Sequence, residues 1–126
     1  MVQAEAGRAQ RAPTGGTSIQ VMRAAAEDIV ARRKFPLPVS MAAVRADWKS
    51  RGFSCENFVD PPGREWNDFV HGTDELVTVI EGRLRCLMNG KTHEIEAGDE
   101  LFIPKGIRHS VHNIHAGTTR WLFGYG

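Results

Sequence analysis

The sequence predicts an all-β domain, a sandwich or barrel closed on itself, preceded by one or two helices. Three observations carry this reading. From Phe53 onward, about eight short runs follow one another at close spacing, separated by Gly-rich turns with no helical pattern between them. Asn89-Gly90 lies between two alternating runs, and that pair suits a type I′ hairpin turn, which needs positive φ at both central residues. Ahead of Phe53, apolar residues recur instead at three- and four-residue intervals.

A length of 126 residues suits one domain whose core needs no disulfide. Residues 1–18 hold few large apolar side chains and read as a mobile arm. Residues 19–52 read as a helical segment and 53–126 as the β-barrel. In the helical segment Ile19, Met22, Ala26, Ile29 and Val30 line one face of an amphipathic helix that Pro36 and Pro38 stop. Residues 40–51 form a second candidate, with Ser40 as N-cap, Ala42, Ala43 and Ala46 as helix formers, and Gly52 at the C′ position. The strands are expected over residues 53–59, 65–71, 76–80, 83–88, 91–95, 100–103, 108–114 and 119–123.

Composition excludes several functions. A formal charge of +1 supplies no field to draw the chain to nucleic acid or to a membrane surface. Cys55 and Cys86 form no C-x-x-C pair, and there is neither a signal-peptide pattern nor an apolar run of membrane-spanning length. A cytoplasmic protein is expected, with a small-molecule ligand or substrate as its partner. Leu76, Thr78 and Ile80 make an outer strand face that the helix over 19–30 or a second subunit would cover, so a homodimer is expected.

Strand alternation places Asn67, Phe69 and His71 on one face, Glu75, Val77 and Val79 on another, and His109, Val111 and Asn113 on a third. His112 points away from His109. His71 and Glu75 are also spaced for one helix face, but Gly72 and the β-branched run after Leu76 favour strand–turn–strand. His71, Glu75 and His109 are three candidate metal ligands on two short pieces, with β-hairpins between them to bring them together, and Asn67, Phe69 and Val111 are candidates to line a substrate pocket. No catalytic residue is assigned. The plainer alternative is a metal-free cluster of hydrogen-bonded polar groups.

Gly63-x5-Phe69-x-His71-x3-Glu75-x6-Gly82 resembles the first motif of the cupin superfamily with one ligand position changed. Gly98-x5-Pro104-x-Gly106-x2-His109-x3-Asn113 resembles the second with every position matched. The resemblance implies a small cupin-type double-stranded β-helix, or jelly-roll barrel, with metal ligands in its mouth. Carried over position by position, it makes His71, Glu75 and His109 ligands of one divalent transition metal ion, Fe, Mn or Zn. Phe69 stands where the family has its first histidine and cannot coordinate, which leaves three ligands. Two imidazoles and a carboxylate with open positions match non-haem iron oxygenases and also suit zinc. The expected function is a metal-dependent cupin acting on a small organic molecule, as a dioxygenase first and a metal-assisted lyase or isomerase second. The alternative is a non-catalytic barrel that binds a ligand or metal as a sensor or dimerisation module.

Other conspicuous residues have plainer expectations. His93, His112 and His115 are placed on an outer face or in a turn, and Cys86 in the core. Trp66, Trp121, Phe102 and Phe123 are assigned to core or subunit interface, and Arg120 is weighed as a partner for an acidic substrate.

Overall fold

The computed structural model describes residues 29–126. In chain order the elements are strand β1 (Val30–Ala31), helix α1 (Met41–Ser50), and strands β2 (Glu56–Asp60), β3 (Glu65–Phe69), β4 (Glu75–Glu81), β5 (Arg83–Met88), β6 (Lys91–Glu96), β7 (Glu100–Ile103), β8 (His109–Asn113) and β9 (Thr119–Tyr125). They form two antiparallel sheets, a five-stranded one ordered β1-β7-β4-β9-β2 and a four-stranded one ordered β3-β8-β5-β6. The inner faces meet around Val77, Val79, Leu84, Cys86, Ile95 and Leu101. This is the expected all-β jelly-roll barrel. Asn89 and Gly90 turn the β5–β6 hairpin with φ of 52° and 71°, the two positive values that its tight turn requires.

Among the described residues there is one helix, the second of the two expected. Ser40 caps α1, its Oγ accepting from the Ala43 amide at 3.1 Å, and Gly52 follows the helix at φ 86°. The arm over residues 1–18 and positions 19–28 of the other expected helix lie outside the described residues. The last two positions of that helix are not helical: Ile29 is in a turn and Val30 opens β1. The edge of β7 decides this. Val30 and Ala31 pair with Leu101 and Glu100, and Ile29 and Val30 pack on the inner core, so tertiary pairing overrides a helical period.

Strand β4 is buried on both faces. Val77 and Val79 face the inner core, while Leu76 on the outer face joins Leu122, Phe35, Val44 and Trp48 in a second core under α1. Val44 and Trp48, one helical turn apart, are both fully buried. The outer face, which the sequence left to the helix over 19–30 or to a second subunit, is covered here by α1. Trp48 also donates its indole N–H to buried Glu100 at 2.8 Å, which anchors the helix to β7.

The closing positions of the two motifs meet at Thr119. Gly82 has φ 104°, and a Cβ there would lie 2.2 Å from the Thr119 hydroxyl, so only glycine fits. That hydroxyl donates to Asn113 Oδ1 at 2.7 Å, and Asn113 Nδ2 faces the carbonyls of Asp60, Pro61 and Gly117 at 3.1, 2.8 and 3.1 Å. Asn113 is a clamp on the β2–β3 turn. Among the described residues no helix is long and apolar enough to cross a membrane.

His93 departs from expectation, because it pairs with Cys86 and shares its inward face. Burial lowers its pKa, with Lys91 and Arg32 adding to the effect.

Two outcomes are expected. Asn113→Ala leaves several buried polar groups without a partner, at ~1–3 kcal/mol each, so urea denaturation should show a loss of about 3 kcal/mol or more. A loss below about 1 kcal/mol would contradict the clamp. For His93 the folded-state pKa lies below the unfolded value, so stability is full above pH 6.5 and lost as pH falls through the folded pKa. The decline in Tm below pH 6.5 should be shallower in His93→Gln than in the parent protein.

Candidate metal centre and its aromatic pocket

His71 and Glu75 flank a short bend before β4, and His109 opens β8. The two loops that carry these residues are tied together. The Gly106 amide donates to the His71 carbonyl at 2.8 Å, and the Lys105 amide to Asp74 Oδ1 at 2.9 Å. Gly106, at φ 79°, allows the tight turn that makes this contact.

The three side chains converge. His71 Nε2 and His109 Nε2 each lie 3.5 Å from the same oxygen, Glu75 Oε1, and one donor atom from each residue falls within 4.8 Å of the others. Glu75 and His109 are buried, while His71 is partly open to solvent. Glu75 Oε1 is buried with no hydrogen-bond partner among the described residues. His109 Nδ1 lies 3.0 Å from the Ile107 carbonyl, so it carries the proton there and turns the Nε2 lone pair toward Glu75. Burial lowers the pKa of His109, but the Glu75 carboxylate and the Ile107 carbonyl outweigh it and leave the value raised.

The donor set fits a divalent ion. Two ligands each ~2.1 Å from a shared tetrahedral ion lie about 3.4 Å apart, close to the spacing of both imidazole–carboxylate pairs. An ion would also satisfy the Glu75 oxygen that has no hydrogen bond among the described residues.

Beside the three residues opens a cavity of about 200 Å³. Its wall is a closed circuit of aromatic rings. From Tyr125 it runs through Phe123 (5.9 Å between centroids), Trp121 (5.6 Å), Phe58 (5.9 Å), Trp66 (5.3 Å), Phe69 (6.1 Å) and His71 (6.1 Å), and back to Tyr125 (5.0 Å). Most contacts are edge-on or tilted, the arrangement that ring quadrupoles favour. Burial raises the pKa of Tyr125, with Glu75 and Glu56 adding, so its hydroxyl keeps its proton at neutral pH.

Two of the three pocket candidates, Phe69 and Val111, line this cavity. Asn67 does not. Trp66 pairs with Val111 and Phe69 with His109, which leaves Asn67 and Asp68 together opposite Ser110 in a β-bulge. Asp68 takes φ 62° there and donates its amide to Ser110 Oγ at 3.0 Å. The extra residue reverses the alternation, so Trp66 turns inward and Asn67 turns outward to His112 Nε2 at 2.8 Å.

Trp66, Trp121 and Phe123 therefore form the pocket wall, whereas Phe102 lies in the second core. The alternation of Trp121, Phe123 and Tyr125 along β9 was a signal that could have found three of these rings. Nothing in the sequence marked the bulge. Arg120 pairs with exposed Glu81 at 2.9 Å and is not in the pocket.

The model of the family described as "Cupin domain" matches residues 57–125, more than half of the chain. The chain belongs to the cupin family. This cupin is 33% identical over 63 residues to "Polyketide synthase CurC" of Streptomyces cyaneus, covering 49% of its own length and 41% of that protein. It thus spans less than half of the curated relative. Among solved structures it resembles an RmlC-like cupin of Methanocaldococcus jannaschii (TM-score 0.55, 13% identity, 59% of this chain and 69% of that one). It also resembles salicylate 1,2-dioxygenase of Pseudoaminobacter salicylatoxidans (TM-score 0.51, 24% identity, 57% and 20%). These structural likenesses show the shared barrel.

Burial pushes the Cys86 thiol up to about 12, with Glu75 adding to the effect, whereas Cys55 is only partly buried. A thiol reagent at pH 8 should modify Cys55 in the native protein and Cys86 only after denaturation. Labelling of Cys86 as fast as Cys55 would contradict this packing.

Proposed function

We propose that this cupin is a metal-dependent enzyme acting on a small organic molecule, with His71, Glu75 and His109 holding one divalent ion. The observation that carries the reading is Glu75 Oε1, buried and without a hydrogen bond, with an imidazole Nε2 3.5 Å away on either side. A bound ion supplies a Lewis acid with open positions, the chemistry of oxygenases and of metal-assisted lyases and isomerases.

The chain's own residues do the rest. The Ile107 carbonyl fixes the His109 tautomer, and the hydrogen-bonded loops hold His71 against Glu75. Phe69, where the family has a histidine, puts an apolar ring on the cavity wall beside the residues that would hold the ion. Tyr125 keeps its hydroxyl proton and can donate it in a hydrogen bond to a substrate oxygen. Similarity to a protein named as a polyketide synthase supports an organic substrate. Oxygenation is the first reaction to screen, with lyase and isomerase chemistry next.

A second reading, a non-catalytic barrel that binds a ligand, is favoured by Phe69 at the family's first-histidine position and by the lack of a further acid–base pair among the residues lining the pocket.

Metal content separates the two. Protein purified without chelator or nickel resin should carry close to one ion per chain by elemental analysis. His109→Ala and Glu75→Ala should lower that occupancy at least ~10-fold while the protein stays folded by circular dichroism. Little metal in the parent, and none taken up when iron, manganese and zinc are added back, would overturn the metal reading in favour of the second.

A further inference from the structure

One buried carboxylate takes no part in the chemistry above. Asp60, at the end of β2, is fully buried. Trp66 Nε1 donates to its two oxygens at 3.1 and 3.2 Å, and Trp121 Nε1 donates to Oδ2 at 2.9 Å. Among the described residues no basic side chain lies within ion-pair distance of it. Both donors are N–H groups, so the side chain serves as an acceptor in all three contacts. Burying such a group is costly unless it is well hydrogen-bonded. Here both indoles it holds are walls of the pocket, and they come from β3 and β9, in different sheets.

The consequence for a ligand lies in the shape and chemistry of the cavity. A void of roughly 150 Å³ accommodates benzene. The cavity of about 200 Å³ therefore admits an aromatic ring with substituents. Its polar residues, His71, Glu75, His109 and Tyr125, lie side by side, with the His71 ring 5.0 Å from those of His109 and Tyr125, and its remaining wall is aromatic and apolar. The complementary molecule is flat and apolar with one oxygen. Hydrogen bonding to a carboxylate increases the electron density of an indole ring and fixes its tilt. Both effects favour a planar π-system over a puckered saturated one of the same size.

We infer that the pocket takes a planar aromatic molecule bearing a phenolic or carbonyl oxygen, and that Asp60 sets this selectivity by holding Trp66 and Trp121 in place. Asp60 is a positioning residue, since it touches the indoles and not the pocket. The inference rests on the proposed site, with the oxygen directed to the His71, Glu75 and His109 end.

The test is calorimetric titration of the full chain with 2-naphthol and with decahydro-2-naphthol, which keeps the oxygen and the carbon skeleton but is not planar. Each is run on zinc-loaded and on chelator-treated protein, zinc being redox-inert. 2-Naphthol should bind about tenfold tighter than its saturated counterpart, the scale of contact with two aromatic walls. Asp60→Asn should bring that ratio near one with zinc content unchanged, a readout that loss of stability alone would not move.

Should Asp60→Asn fail to fold, Trp66→Phe reads the same effect, because it keeps a ring and removes one N–H donor. Equal affinity for the two alcohols in the parent protein overturns the substrate class. A tenfold ratio that survives in folded Asp60→Asn, or in Trp66→Phe, overturns the role of Asp60. A ratio near tenfold in protein that takes up no zinc supports the inference and overturns the metal reading instead.

Discussion

Strand β4 has apolar neighbours on both faces, and the rest of the molecule is arranged to meet that constraint. Its inner side chains, Val77 and Val79, need the four-stranded sheet opposite them. Its outer ones, led by Leu76, need α1. Fully burying an aliphatic side chain contributes ~1.5–3 kcal/mol, so neither cover is dispensable for a chain of this size. Because Glu75 begins the same strand, its carboxylate is drawn out of water along with its neighbours.

Four buried carboxyl groups show how the chain deals with that cost. Glu100 accepts from Trp48 at 2.8 Å and pairs with Arg51 at 2.5 Å and Lys34 at 3.4 Å. Asp99 accepts from Arg32 and from the amides of Arg33 and Glu96. Asp60 holds two indoles. Each of these three has an explanation in the fold. Among the described residues Glu75 Oε1 alone of these faces two imidazoles at 3.5 Å with no hydrogen bond, and this is the carboxylate on which the proposed metal site rests.

The barrel and the convergence of His71, Glu75 and His109 were legible in the sequence because each rests on local regularities. Gly82, Gly98, Gly106 and Asn113 stand at fixed offsets, and three of them have physical roles described above: Gly82 has no room for a Cβ beside Thr119, Gly106 makes the turn that ties the His71 loop, and Asn113 clamps the turn before β3. The wall of the pocket was only half legible. Phe69 and Val111 follow from alternation, but one extra residue at Asp68 exchanges Asn67 for Trp66. A bulge is set by cross-strand register, here by Ser110 on β8, and register is not a property of β3 alone.

By itself the sequence determined what depends on spacing: a β-barrel, a hairpin at Asn89-Gly90, a capped helix after Ser40, and three ligand-type side chains carried on two motifs. Tertiary structure decided what depends on partners far along the chain. It made Val30 a strand by offering it the edge of β7, and it laid α1 over the outer face of β4, which the sequence had left to the helix over 19–30 or to a second subunit. It also turned Trp66 and Trp121 toward one carboxylate from opposite sheets. Periodicity records which side of an element is apolar. It does not record which other element will cover that side, because that choice is made by packing among residues tens of positions apart.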